Sequence, residues 1–187
     1  GEGNTLYALI GSSLFVWLVH WLVSRGIKEA ALVNLMATIA KIIPLVIFII
    51  FSFVAFKLEL FKLNFLDTSL QMPVWQQVRD VMLITLWVFT GIEGAVVLSS
   101  RAKKRNDIGK ATLLGVLLAL AFYVMVTVLA YGINIRSEIA GMHNPSMATI
   151  LGQLIGIPGT FVITLGLIIS VSSSYLSWTL FATEIPY

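Results

Sequence analysis

The chain has no cysteine, only two histidines and five prolines, and charged residues make up just 11% of its 187 positions. Without cysteine there can be no disulfide and no thiolate metal site, and the redox compartment is left open. The shortage of charge excludes more. A soluble domain needs about 25% charged residues to cover its surface. This sequence is 58% hydrophobic, with a mean hydropathy of +0.96. It is an integral membrane protein. Also missing are a phosphate-binding loop, a metal-ligand cluster and any nucleophile–base pairing, so no enzyme, metal, cofactor or nucleic-acid partner is expected. The chain opens Gly1-Glu2-Gly3-Asn4 with no basic n-region, and closes Ala182-Thr183-Glu184-Ile185-Pro186-Tyr187 directly after a hydrophobic segment. Both ends are expected to lie inside a longer polypeptide.

What is present is long apolar runs. A hydrocarbon core about 30 Å thick needs about 20 apolar helical residues. Five segments qualify, at about 6–24, 30–56, 81–100, 111–132 and 159–181. The expected fold is all-α, a polytopic transmembrane helical bundle of five spans forming a single transmembrane region over 1–187. The second span is long enough to tilt, and Pro44 can kink it. Charge asymmetry sets the orientation. Arg101, Lys103, Lys104, Arg105 and Lys110 oppose Asp107 alone in one loop, and Arg25 and Lys28 oppose Glu29 in another. Loops 25–29 and 101–110 are therefore expected to be cytoplasmic. Residues 57–80 read as an outer loop lying along the interface, and 133–153 as a second outer loop with a short interfacial helix.

Glu93 stands out, a carboxylate in the apolar run from Leu83 to Leu98. A charge at that depth costs from about 3 to above 10 kcal/mol, so it usually faces a cavity or pathway. Gly91 and Gly94 bracket it, which suggests a helix broken for function. Glu93 could then bind and release a proton or control a gate. The plain alternatives are a hydrogen-bonded glutamic acid joining two helices, and glycines that merely let helices approach. Trp87, near the middle of the same span, is either packing or an aromatic wall for a cation. Trp178 poses the same choice. It follows Ser170, Ser172, Ser173, Ser174 and Ser177, a polar run that either bonds back to helix carbonyls or walls a water-filled path. Lys41 lies roughly 17 Å into span two at the helical rise. It is a snorkelling or paired lysine, or else a fixed or titratable cation.

Four strings resemble the amino acid/polyamine/organocation superfamily, and within it the basic amino acid antiporter branch. They are Leu86-Trp87-Val88-Phe89-Thr90-Gly91-Ile92-Glu93-Gly94-Ala95, Lys103-Lys104-Arg105-Asn106-Asp107-Ile108-Gly109-Lys110-Ala111-Thr112, Ser177-Trp178-Thr179-Leu180-Phe181-Ala182 and Ala40-Lys41-Ile42-Ile43-Pro44. The resemblance implies part of an inverted-repeat transporter fold, covering spans four to eight of a carrier with roughly twelve or more. It implies that Trp87 stacks on substrate in a broken helix and that Glu93 senses protons or links substrate arrival to closure. It makes Trp178 a gate and Lys41 the occupant of the cation site of sodium-coupled relatives. Ile92 and Gly94 become lining residues by position. The glycine-rich first helix and the tenth helix of that fold are absent from this sequence.

The function so implied is alternating-access exchange of cationic amino acids across a bacterial inner membrane. Gly94, where the agmatine-exchanging branch often has serine, tilts the substrates toward arginine and ornithine. The implied partners are those amino acids, the lipid bilayer and the remaining helices of the same transporter, with a homodimer left open. Two rivals stand beside this reading: a proton-coupled permease in which Lys41 or Glu93 titrates, and a non-transporting membrane scaffold or sensor.

Overall fold

A computed structural model describes residues 5–65, 73–91, 94–97 and 105–184, and every regular element among them is an α-helix. The helices are α1 (Leu6–Arg25), α2 (Ile27–Ala55), α3 (Leu58–Phe65), α4 (Val74–Val88), α5 (Gly94–Val97), α6 (Arg105–Tyr131), α7 (Arg136–Gly141), α8 (Ser146–Ile155) and α9 (Ile157–Glu184). Four of them are long and apolar enough to cross a membrane: α1, α2 over Ala30–Ala55, α6 over Asp107–Tyr131, and α9 over Ile157–Thr183. The chain divides into two compact units, residues 1–42 with 166–187, and residues 43–165.

In the first unit, Thr5 caps α1 by accepting a hydrogen bond from the Ala8 amide (3.3 Å), satisfying a donor the helix leaves open. Gly26, at φ 149°, ends α1 in a conformation few side chains adopt, and α2 starts at the next residue. The core is small: Val19, Ala30, Leu176 and Leu180 are buried, with Phe15, Leu22 and Val23 packed against them. Phe15 also meets Tyr175 with ring centroids 5.6 Å apart. These residues lie three or four apart along α1 and α9, one face of each helix.

The second unit has its core around α8. Phe48, Ala148, Ile150, Leu151 and Ile163 are buried together, and Ile47, Val126, Ala130 and Met147 pack on them. The short interfacial helix expected within 133–153 is thus a core element. Its apolar positions fall on one face, and Thr160 of α9 donates to the Ala148 carbonyl (3.3 Å), tying α8 to the helix that follows. The loop expected over 57–80 also differs, since it contains α3, and α4 begins at Val74, immediately after Pro73. Proline has its φ preset for a helix start, and Trp75, Gln76, Gln77, Arg79 and Asp80 become the first turns of a helix.

Asn64 of α3 binds the end of α6. Its Nδ2 donates to the carbonyls of Tyr131 (2.7 Å) and Asn134 (3.0 Å), and its Oδ1 accepts from the Arg136 amide (2.8 Å). These are groups that the C-terminus of α6 and the N-terminus of α7 leave without intrahelical partners. Asn64→Ala should therefore destabilise the full-length protein by about 1–3 kcal/mol, read as a lower melting temperature in detergent. Asn64→Asp, which keeps the acceptor alone, should fall between alanine and wild type.

Candidate functional site

The span expected over 81–100 is interrupted. Helix α4 stops at Val88, Phe89 to Gly91 form a turn, and α5 occupies Gly94–Val97. Gly91 has φ 106°, which allows the chain to leave the helix at little steric cost. The freed groups find local partners. The Thr90 amide donates to the Trp87 carbonyl (3.3 Å), the Thr90 hydroxyl to the Leu86 carbonyl (3.4 Å), and the Gly94 amide to the Gly91 carbonyl (3.0 Å).

Beside the turn is a cavity of about 330 Å³, within the range of small-molecule sites. One wall is Val88, Phe89, Thr90 and Gly91, and the other is Ala111, Thr112, Gly115, Val116 and Ala119 of α6. The α6 residues recur every three or four positions, so a single face of small side chains lines the opening. Nothing lies within 4 Å of the position a Cβ on Gly115 would take. A second, open cavity of about 540 Å³ is lined by Met82, Thr85, Leu86, Phe89 and Thr90. Phe89 and Thr90 border both, and the Phe89 ring meets Tyr123 of α6 edge-on at 6.2 Å.

Three sequence-predicted residues come together here. Trp87 is 80% exposed in the last turn of α4, Gly91 is the turn glycine, and Gly94 is buried at the start of α5. Ile92 and Glu93 lie outside the described residues. Trp178 and Lys41 belong to the other unit. Trp178 is about half exposed on α9, edge-on to Phe181 at 6.0 Å. Lys41 is half-buried on α2 and has no hydrogen bond or ion pair among the described residues. It shares a face with Thr38 and Asn34, at the i, i+4, i+7 spacing.

The serine run divides between its two readings. Ser177 does bond back, to the Ser173 carbonyl (3.0 Å). Yet Ser173 and Ser177 also both donate to Oδ1 of Asn34, at 2.8 and 3.1 Å. Asn34 went unnoticed in the sequence, although a lone amide in the apolar run 30–56 was the available signal. Thr90, Thr112 and Gly115 were also missed, because threonine and glycine inside a span are common and carry no spacing of their own.

The whole chain, residues 1–187, matches the amino acid permease family model. A candidate arginine/ornithine antiporter of Escherichia coli (strain K12) is 50% identical over all of the chain and 41% of its own length. An arginine/ornithine antiporter of Pseudomonas aeruginosa is 44% identical over all of the chain and 39% of its own length. An arginine/agmatine antiporter of Chlamydia caviae is 42% identical over 99% of the chain and 39% of its own length. The chain thus spans about two fifths of the length of these curated relatives, which are transporters and not enzymes. No solved structure gives a significant match.

The two glycines at the break should respond oppositely to alanine. Gly91→Ala forces a side chain into a conformation costing about 1–3 kcal/mol. Gly115→Ala enters open space within a helix and should be neutral or gain up to about 1 kcal/mol. Unfolding of the purified full-length protein measures both, and equal effects would refute the described geometry of the turn.

Proposed function

Because the chain belongs to the amino acid permease family, we propose that the transporter it builds exchanges cationic amino acids, arginine for ornithine, by alternating access. The observation that carries this reading is a match over the whole chain to antiporters named for those substrates, combined with an interrupted helix that opens on a cavity. The protein is a multi-pass membrane protein. Its place in a bacterial inner membrane, with loops 25–29 and 101–110 cytoplasmic, is part of the proposal, as is its assignment to spans four to eight.

Each residue then has a role. The turn at Phe89 to Gly91 borders the cavity, where the Thr90 side chain can meet polar parts of the substrate. Trp87 offers its ring face to a guanidinium or ammonium. By the resemblance, Glu93 answers substrate arrival or a proton, Ile92 and Gly94 are substrate-lining positions, and Trp178 is a gate. Lys41 holds a permanent positive charge where a sodium-coupled carrier would bind its ion. Exchange of equal charges then needs no ion gradient.

Labelled-arginine uptake into proteoliposomes holding the full-length protein tests the proposal. Uptake is expected only into vesicles preloaded with ornithine. Uptake into empty vesicles driven by an inward proton gradient would establish the symporter instead, and no uptake in either would sink the cationic substrate. Trp87→Leu, which removes the aromatic face, should raise the half-saturation concentration about tenfold while leaving the melting temperature unchanged.

A further inference from the structure

The hydroxyl pair on α9 has a property that a fixed joint would not need. The Ser177 hydroxyl has a single proton and two acceptors at nearly equal distance, Asn34 Oδ1 at 3.1 Å and the Ser173 carbonyl at 3.0 Å. It can donate to one of them at a time, across to α2 or back into its own helix. The rest of α9 shows that the second choice costs little. Thr164, Thr179 and Thr183 donate to the carbonyls of Thr160, Tyr175 and Leu180, all at 2.8 Å. Ser173, only 2% exposed and bonded to Asn34, would find the same alternative at the carbonyl of Ile169, four residues back.

We propose that Asn34, Ser173 and Ser177 form a latch that holds the first half of α2 against the second half of α9 and releases once per transport cycle. In the latched state Asn34 collects both hydroxyl protons. In the released state each serine turns to its own helix, so α9 loses no hydrogen bond, and Asn34 alone must find a new partner. Water entering between the separated helices supplies one. Beside the latch is the small apolar core of Val19, Ala30, Leu176 and Leu180. That cluster keeps the seam dry while the latch is shut, and its small size leaves little to oppose opening. A static joint would bond groups that have nowhere else to go, as Asn64 does in the other unit with two backbone carbonyls and one amide.

The proposal rests on the protein being an alternating-access transporter, but its test does not need the substrate. Spin labels at Met36 on α2 and Val171 on α9, both exposed, report the separation of the two half-helices in the full-length protein in lipid. Two distance populations are expected. Asn34→Leu and Ser173→Ala should each raise the longer one about threefold, the ratio for an average interhelical hydrogen bond in a bilayer, and Asn34→Gln should largely restore it. One distribution, unchanged in every variant, would overturn the latch. A second arm covers variants that fold poorly. An Asn34→Cys, Ser177→Cys disulfide should abolish the longer population and stop exchange, and a reductant should restore both. Exchange through the oxidised protein would likewise overturn the latch. If the parent protein moves no arginine, the exchanger reading fails, while the distances still decide the latch.

Discussion

A backbone amide or carbonyl freed inside hydrocarbon has no water to turn to, and that constraint determines where this chain is regular and where it is not. Helices α1, α2, α6 and α9 meet it by running unbroken for 20 to 29 residues. Pro44 removes an amide from α2, yet the helix continues through it. The interruption after Val88 is the largest departure, and it is met by Thr90. Its amide and hydroxyl cover two successive carbonyls, those of Trp87 and Leu86. What remains irregular there borders a cavity, one of the settings in which non-helical backbone is tolerated at membrane depth. The small face of α6 makes that cavity possible: larger residues at Ala111, Gly115 and Ala119 would close it.

Helices in lipid gain no hydrophobic drive from touching one another, so polar side chains and close packing must join them. Two asparagines do so here, one in each unit, and their partners differ in kind. Asn64 bonds backbone groups at a helix end and the start of the next helix. Those groups have no intrahelical alternative, so the junction behaves as a staple. Asn34 bonds two serine hydroxyls that can rotate back to their own helix. The same amide chemistry thus gives a fixed joint in one place and an exchangeable one in another, and what distinguishes them is the alternatives open to the asparagine's partners.

Much of this was legible in the chain. Hydropathy alone gives an all-α membrane protein, and the glycines around Glu93 point to an interrupted helix. The interruption itself involves Phe89 and Thr90 as well as Gly91, since the turn begins directly after Val88 and Thr90 covers the last carbonyls of α4. Residues 74–80 were hidden because Gln76, Gln77, Arg79 and Asp80 break the apolar run, while the helix depends on backbone bonds that ignore polarity. The burial of α8 was hidden too. A ten-residue apolar helix reads alike at an interface and in a core, and only the tertiary contact of Leu151 with its neighbours distinguishes the two. Asn34 and Asn64 show the same limit, because their bonds reach across 139 and 67 positions and no local pattern encodes such a partner.

The distribution of charge bears on how a cation could be carried at all. Among the described residues, the interiors of the four long helices hold no carboxylate. Glu29 and Asp107 come at helix starts and Glu184 at a helix end, while Lys41 is the charge within. In the proposed exchanger, these described helices offer a cationic substrate no fixed anion, and the proposed recognition rests on Glu93 and the ring face of Trp87. Such weak, distributed attraction suits a carrier, which must release what it binds on the far side. A fixed Lys41 adds the same repulsion whether arginine or ornithine is bound, because both carry one net positive charge. It therefore raises both loaded states together and leaves the balance between them unchanged. An exchanger can accept that symmetry, since neither direction is favoured except by concentration. A proton-driven carrier needs in addition a group whose charge changes within each cycle, Lys41 or Glu93. A group that changes charge within each cycle is therefore the physical difference between the two modes of transport.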